Sequence, residues 1–99
     1  MASKFPIIWS EEAVSNLEEI LEYLSNRWTQ REINNFKTKL SKQLQLISQN
    51  PKLFPLSISQ PRLRKAVLSK QTTIFYEFKN SIVYLVYLFN TSRNPDKIR

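Results

Sequence analysis

Trp28-Thr29-Gln30-Arg31-Glu32-Ile33 is the stretch on which the fold of this chain turns. Thr29 with Glu32 three residues on matches a capping box, in which hydroxyl and carboxylate satisfy first-turn N–H groups reciprocally. Trp28 and Ile33 flank the box where a hydrophobic staple sits, so Trp28 reads as a core staple. A helix must begin here. Upstream, Ser10 reads as another N-cap, and Glu11 and Glu12 favour the positive end of a helix dipole. Ala13, Leu17, Ile20, Leu21, Leu24 and Trp28 then recur at helical spacing, with Trp9 and Val14 placed as the staple of that first helix. Downstream, Ile33, Phe36, Leu40, Leu44 and Ile47 make a second apolar stripe. Asn50-Pro51 ends it, because proline disfavours a helical residue before it. Two helices over about Ser10 to Gln49, with almost no linker between them, are expected to fold back as an antiparallel pair.

The flanks of this hairpin read as strands. Phe5 to Trp9 is short, apolar and rich in β-formers, with Pro6 where a strand's beginning tolerates it. Pro51 to Pro61 holds three prolines and reads as a crossing loop. Leu63 to Leu68, Thr72 to Phe78 and Ile82 to Phe89 follow as extended runs. Ser69-Lys70-Gln71 and Lys79-Asn80-Ser81 are short enough to be hairpin connections, which makes these strands antiparallel neighbours. The unbroken apolar run of the last strand predicts a central place with both faces buried. The expected class is α+β: strand, antiparallel helical hairpin, then three antiparallel strands in a small, mostly antiparallel sheet. Residues 1–99 are expected to form one domain.

Composition removes much chemistry. The 99 residues are 41% hydrophobic and 12% aromatic, a globular composition. The sequence has no cysteine, histidine or glycine. Without cysteine there are no disulfides, thiolate nucleophiles or Cys-based zinc sites. Glycine ordinarily supplies about 7% of a chain, and its absence excludes the P-loop, the dinucleotide fingerprint and the EF-hand. No cofactor and no metal are expected. Left-handed turn positions fall to asparagine, with Asn50, Asn80, Asn90 and Asn94 the candidates. Met1 to Pro6 lacks the apolar run of a signal peptide, and no run approaches membrane-spanning length. A cytoplasmic protein is expected, with no membrane partner.

The net charge of +7 is unevenly placed. Residues 1–36 carry three basic and six acidic side chains, whereas residues 37–99 carry twelve basic and two acidic, a net of +10. Such polarity suits an anionic partner, either nucleic acid or an acidic protein segment. A scattered lysine excess would only be a solvated surface, but Arg62, Arg64 and Lys65 cluster and point to a binding face. Arg64 and Lys65 fall on opposite faces of their strand, so only one of them reaches any single site.

These features together resemble the RelE/ParE toxin superfamily. The resemblance rests on Trp9-Ser10-Glu11-Glu12-Ala13, Ile20-x-x-Tyr23-Leu24, Asn50-Pro51, Arg64-Lys65-x-Val67, Ile74-Phe75-Tyr76 and Arg93-Asn94-Pro95, in that order over nearly the whole chain. It implies the toxin of a bacterial type II toxin–antitoxin module, a growth inhibitor linked to plasmid stabilisation. It also implies a cognate antitoxin whose acidic C-terminal segment wraps the toxin. RelE-like members cleave mRNA on the ribosome, and ParE-like members poison DNA gyrase.

RNA cleavage needs a base, an acid and cations around the phosphate. With no histidine, Arg64, Arg93 and Tyr76 are the candidates for an mRNA endoribonuclease. Arg62, Arg64, Lys65 and Arg93 are candidates for holding a target or the antitoxin. Glu77 could in principle serve as a base. Plainer readings stand beside these: Tyr76 as a core strand tyrosine, Arg93 as a partner of Asp96, Glu77 as a solvated cross-strand neighbour. RelE-like nucleases carry an arginine three positions before the strand tyrosine, where this chain has Thr73. They also carry a tyrosine or histidine after the closing arginine, and none follows Arg93. The Tyr23-Leu24-x-x-Arg27-Trp28 and Phe36-x-x-Lys39-Leu40 segments look ParE-like. The expectation is therefore a ParE-like toxin, with enzymatic activity left open and, if present, that of an mRNA endoribonuclease. The alternatives are a RelE-like nuclease and a non-toxic binding module.

Overall fold

The computed structural model describes residues 4–91. The elements run β1 (Ile7–Trp9), α1 (Glu11–Arg27), α2 (Gln30–Gln49), β2 (Arg64–Val67), β3 (Thr72–Lys79) and β4 (Ile82–Asn90). The four strands make one sheet in the order β1-β4-β3-β2, with β1 parallel to β4 and the other neighbours antiparallel. This is the expected α+β arrangement. Arg93, Asn94 and Asp96 lie outside the described residues, and with them the readings placed on those positions.

Both helix starts are built as the sequence specifies. The Ser10 hydroxyl accepts from the Ala13 N–H at 2.9 Å. The Thr29 hydroxyl accepts from the Glu32 N–H at 3.3 Å, and the Glu32 carboxylate accepts from the Thr29 N–H at 3.2 Å. The end of α2 returns to where α1 began. There Ser48 accepts from the Phe5 N–H at 2.9 Å through its carbonyl, and its hydroxyl donates to the Phe5 carbonyl at 2.7 Å. The staples, however, are not core. Trp28 is 42% exposed, and Val14 is equally so. Only Ile33 and Trp9 of those pairs pack inward, because the tight link between the helices carries Trp28 past the edge of the core.

The inner face of the sheet carries Ala66, Ile74, Tyr76, Val83, Leu85 and Leu88 against Ala13, Ile20, Leu24, Phe36, Leu40 and Ile47 of the helices. β4 is central, as expected, but it is not buried on both faces. Val83, Leu85 and Leu88 are buried, while Tyr84 and Tyr87 are half-buried and Phe89 is exposed. A β-bulge interrupts the alternation: Phe75 pairs with Tyr87 and Tyr76 with Leu85, leaving Val86 as the extra residue. Eight apolar residues in a row thus reflect a shift of face as well as burial.

The β3–β4 hairpin turns through Asn80 (φ 56°) and Ser81 (φ 62°), the two left-handed positions of a type I′ connection. Asn80 meets the expectation for asparagine. Asn50 is instead a helix C-cap at φ −144°, and Asn90 belongs to β4. Ser81 takes a left-handed position that nothing in its side chain favours.

Candidate functional site

The segment from Asn50 to Leu63 joins α2 to β2, and two of the candidate residues, Arg64 and Tyr76, meet beneath it. Arg64 and Tyr76 are direct partners across β2 and β3. Both belong to the helix-facing side, in step with buried Ala66 and Ile74. The Tyr76 side chain is 0% exposed and its hydroxyl donates to the Pro51 carbonyl at 2.7 Å. Arg64 is half-buried, and its Nη1 donates to the Phe54 carbonyl at 2.7 Å. Each polar tip therefore ends on a backbone carbonyl of the loop.

Burial pushes the Tyr76 hydroxyl up to about 12, while the nearby Arg64 charge pulls the other way. A phenol so placed is neutral and hydrogen-bonded at ordinary pH, and it takes and gives protons poorly. Lys65 points to the opposite face and is exposed. There it neighbours Phe75, whose ring stacks on Tyr87 with centroids 4.7 Å apart and planes 16° off parallel. Arg62 is exposed at the end of the loop. The structure thus brings Arg64 and Tyr76 together and turns Lys65 away from them. Glu77 lies opposite Tyr84 on that outer face. Tyr87 is raised by burial, with a Gln60 hydrogen bond opposing the shift.

A second feature is not written in any local motif. Between the helical hairpin and the far end of the sheet lies a cavity of about 610 Å³. Ile20, Leu24, Trp28 and Phe36 supply apolar walls, and Lys39 and Lys70 are among its polar residues. Glu32 also lines it, but its carboxylate is engaged in the cap of α2. The half-exposed indole of Trp28 marks its mouth, and no local spacing in the sequence distinguishes this tryptophan from a covered staple. Among the described residues, no group of three or more acidic side chains gathers as metal ligands do. No helix among them is long and apolar enough to cross a membrane.

The sequence profile of the ParE toxins of type II toxin–antitoxin parDE systems matches residues 7–95. The chain belongs to the ParE toxin family. No curated protein sequence matches this ParE-family chain significantly. Solved structures share its fold at low identity. A chromosomal ParDE toxin–antitoxin system from P. aeruginosa superposes with a TM-score of 0.74 at 11% identity, covering 88% of this chain and 96% of that one. The toxin–antitoxin complex RelBE2 of Mycobacterium tuberculosis gives 0.61 at 11% identity, covering 89% and 92%. An arginine double mutant of the E. coli toxin RelE in the free state gives 0.61 at 13% identity, covering 96% and 90%. A strand, a helical hairpin and a three-stranded return are thus the common frame of this ParE-family chain and its structural relatives.

Proposed function

We propose that this ParE-family protein is a cytoplasmic, single-domain growth inhibitor that acts on DNA gyrase rather than by cutting RNA, and that a cognate antitoxin silences it. The observation that carries the choice of target is the engagement of Arg64 and Tyr76. Both described candidates for RNA chemistry end on loop carbonyls at 2.7 Å, and the tyrosine is wholly buried. A general acid or base must reach the substrate within hydrogen-bond distance, and a buried phenol held to Pro51 does not. Their arrangement fits residues that brace a loop. Arg62 and Lys65, exposed and unlike that engaged pair, remain available as contacts.

The antitoxin side of the proposal draws on charge and shape. An acidic segment is attracted by the +10 carried on residues 37–99. The cavity beside Trp28 offers such a segment an apolar seat with Lys39 and Lys70 close to its carboxylates. Binding there covers the exposed indole, the kind of aromatic anchor that carries much of an interface's energy.

The test is pulsed expression without antitoxin, with labelled-precursor incorporation into DNA and protein followed in parallel. DNA synthesis failing first, with translation intact, is the expected result. Protein synthesis failing within minutes would sink the gyrase reading and return Arg64 to the list of nuclease candidates. No effect on either would favour a non-toxic binding module.

A further inference from the structure

The loop braced by Arg64 and Tyr76 displays apolar side chains to solvent. Ile58 is 98% exposed, and Leu53 and Leu56 are each 51% exposed. Single exposed aliphatic residues are ordinary, but three within six positions of one loop are a local concentration of exposed apolar side chains. The backbone beneath them is firmly held. Besides the bonds from Tyr76 and Arg64, the Leu53 N–H donates to the Asn50 carbonyl at 3.0 Å and the Lys65 N–H to the Pro55 carbonyl at 2.9 Å. The Ser57 N–H donates to the Leu63 carbonyl at 2.7 Å, and Leu56 bridges to Arg64. The buried Ser57 hydroxyl accepts from the Gln60 N–H at 3.3 Å. Pro51, Pro55 and Pro61 further restrict the chain.

We propose that Leu53, Leu56 and Ile58 form a convex docking loop through which the protein engages its target, a folded protein with an apolar pocket bordered by carboxylates. The inference rests on the toxin reading above and assigns the surface that reading needs. Three considerations select this occupant. First, a rigid loop loses little conformational freedom on association, so side chains held outward bind more tightly than mobile ones. Secondly, a projecting Ile58 needs a concave receiver, which a folded domain has and an extended acidic segment lacks. Nucleic acid gains little from it either, since an aliphatic side chain neither stacks on a base nor bonds a phosphate. Thirdly, residues 50–65 contain Lys52, Arg62, Arg64 and Lys65 and no acidic residue. Lys52 and Arg62 are exposed within or beside the loop, so the receiving pocket is rimmed by negative charge. Arg64 and Tyr76 then serve as positioning residues that hold the display in place.

The experiment titrates wild type and Ile58→Asp into a supercoiling assay with purified DNA gyrase. Leu46→Gln, which removes an exposed apolar side chain from α2, is the control. Ile58 is almost wholly in solvent, so the substitution leaves folding intact, and thermal unfolding of each variant verifies this. The expected result is inhibition by wild type and by Leu46→Gln, with at least a tenfold loss of potency, roughly the cost of losing a hot spot, for Ile58→Asp. Equal potency of Ile58→Asp and wild type would overturn the docking loop and leave the gyrase reading standing. A wild type that leaves gyrase untouched would overturn that reading and the partner assigned to the loop together. A wild-type dimer that Ile58→Asp converts to a monomer would reassign the loop to self-association, and so refute the proposal.

Discussion

The Ser10 hydroxyl donates to the Val86 carbonyl at 2.6 Å while accepting from the Ala13 N–H at 2.9 Å, so one side chain both caps α1 and closes the bulge of β4. The Ser10 N–H adds a bond to the Leu85 carbonyl at 3.0 Å, and Asn16, nearly two turns on, accepts from the Leu88 N–H at 3.0 Å. A bulge leaves ladder groups without strand partners, and here the first turns of α1 supply them. Helix and sheet are thereby joined at the point where β4 changes face.

Replacing Ser10 by Ala removes a helix cap and strips the Val86 carbonyl of its donor at once. The two losses together are expected to cost about 2 kcal/mol. Urea denaturation measures it; a cost within about 0.5 kcal/mol of zero, the range of ordinary surface changes, would show that the bulge carbonyl is satisfied without the hydroxyl.

Tyr76 makes stability depend on alkaline pH in a definite direction. Its folded value of about 12 lies above the ordinary 10.0, so the native state favours the neutral phenol. The stabilisation this brings is whole below pH 10 and is lost as pH rises through about 12. Wild type is expected to lose up to about 3 kcal/mol across that window relative to Tyr76→Phe. At neutral pH the order reverses, because the phenylalanine variant leaves the Pro51 carbonyl without its donor, at about 1–2 kcal/mol. Denaturant titrations from pH 7 to 12 read both effects, and parallel curves for the two proteins would contradict the assignment.

Ser81 sits at φ 62° in a turn where glycine is at ease. Ser81→Gly is expected to stabilise the protein by about 1 kcal/mol, since Asn followed by glycine suits a type I′ hairpin. A rise in Tm by calorimetry is the readout. An unchanged or lower Tm would mean that the added freedom of the unfolded chain outweighs the relieved strain.

Trp28 separates stability from binding. Its half-exposed indole is expected to cost less than about 2 kcal/mol when replaced by Ala. Affinity for the cognate antitoxin is expected to fall by more than about tenfold if the indole is the anchor of that cavity. Calorimetric titration of Trp28→Ala with the antitoxin measures this, and unchanged affinity would place the antitoxin elsewhere.

Several elements were legible residue by residue. Ser10 and Thr29 act within three positions of themselves, so their caps could be read without knowing what surrounds them. The same holds for Asn80 in its turn and for the break at Asn50-Pro51. The opposite facing of Arg64 and Lys65 followed from strand alternation alone. The misreadings were non-local. Trp28 satisfies the spacing of a staple, yet its burial depends on where the sheet ends. The last strand reads as doubly buried because a bulge and a buried face both permit apolar residues in sequence.

The order of elements, the helix limits, the turn at Asn80 and the basic character of the second half were determined by the sequence itself, because each depends on neighbours a few residues apart or on summed charge. Tertiary structure alone decided that β1 lies parallel beside β4, that Val86 bulges towards Ser10, and that Arg64 and Tyr76 close on the carbonyls of Phe54 and Pro51. Those outcomes depend on which distant groups compete for the same buried donors and acceptors. That competition is settled only when the chain is packed, and it is what turns Ile58 outward and Tyr76 in.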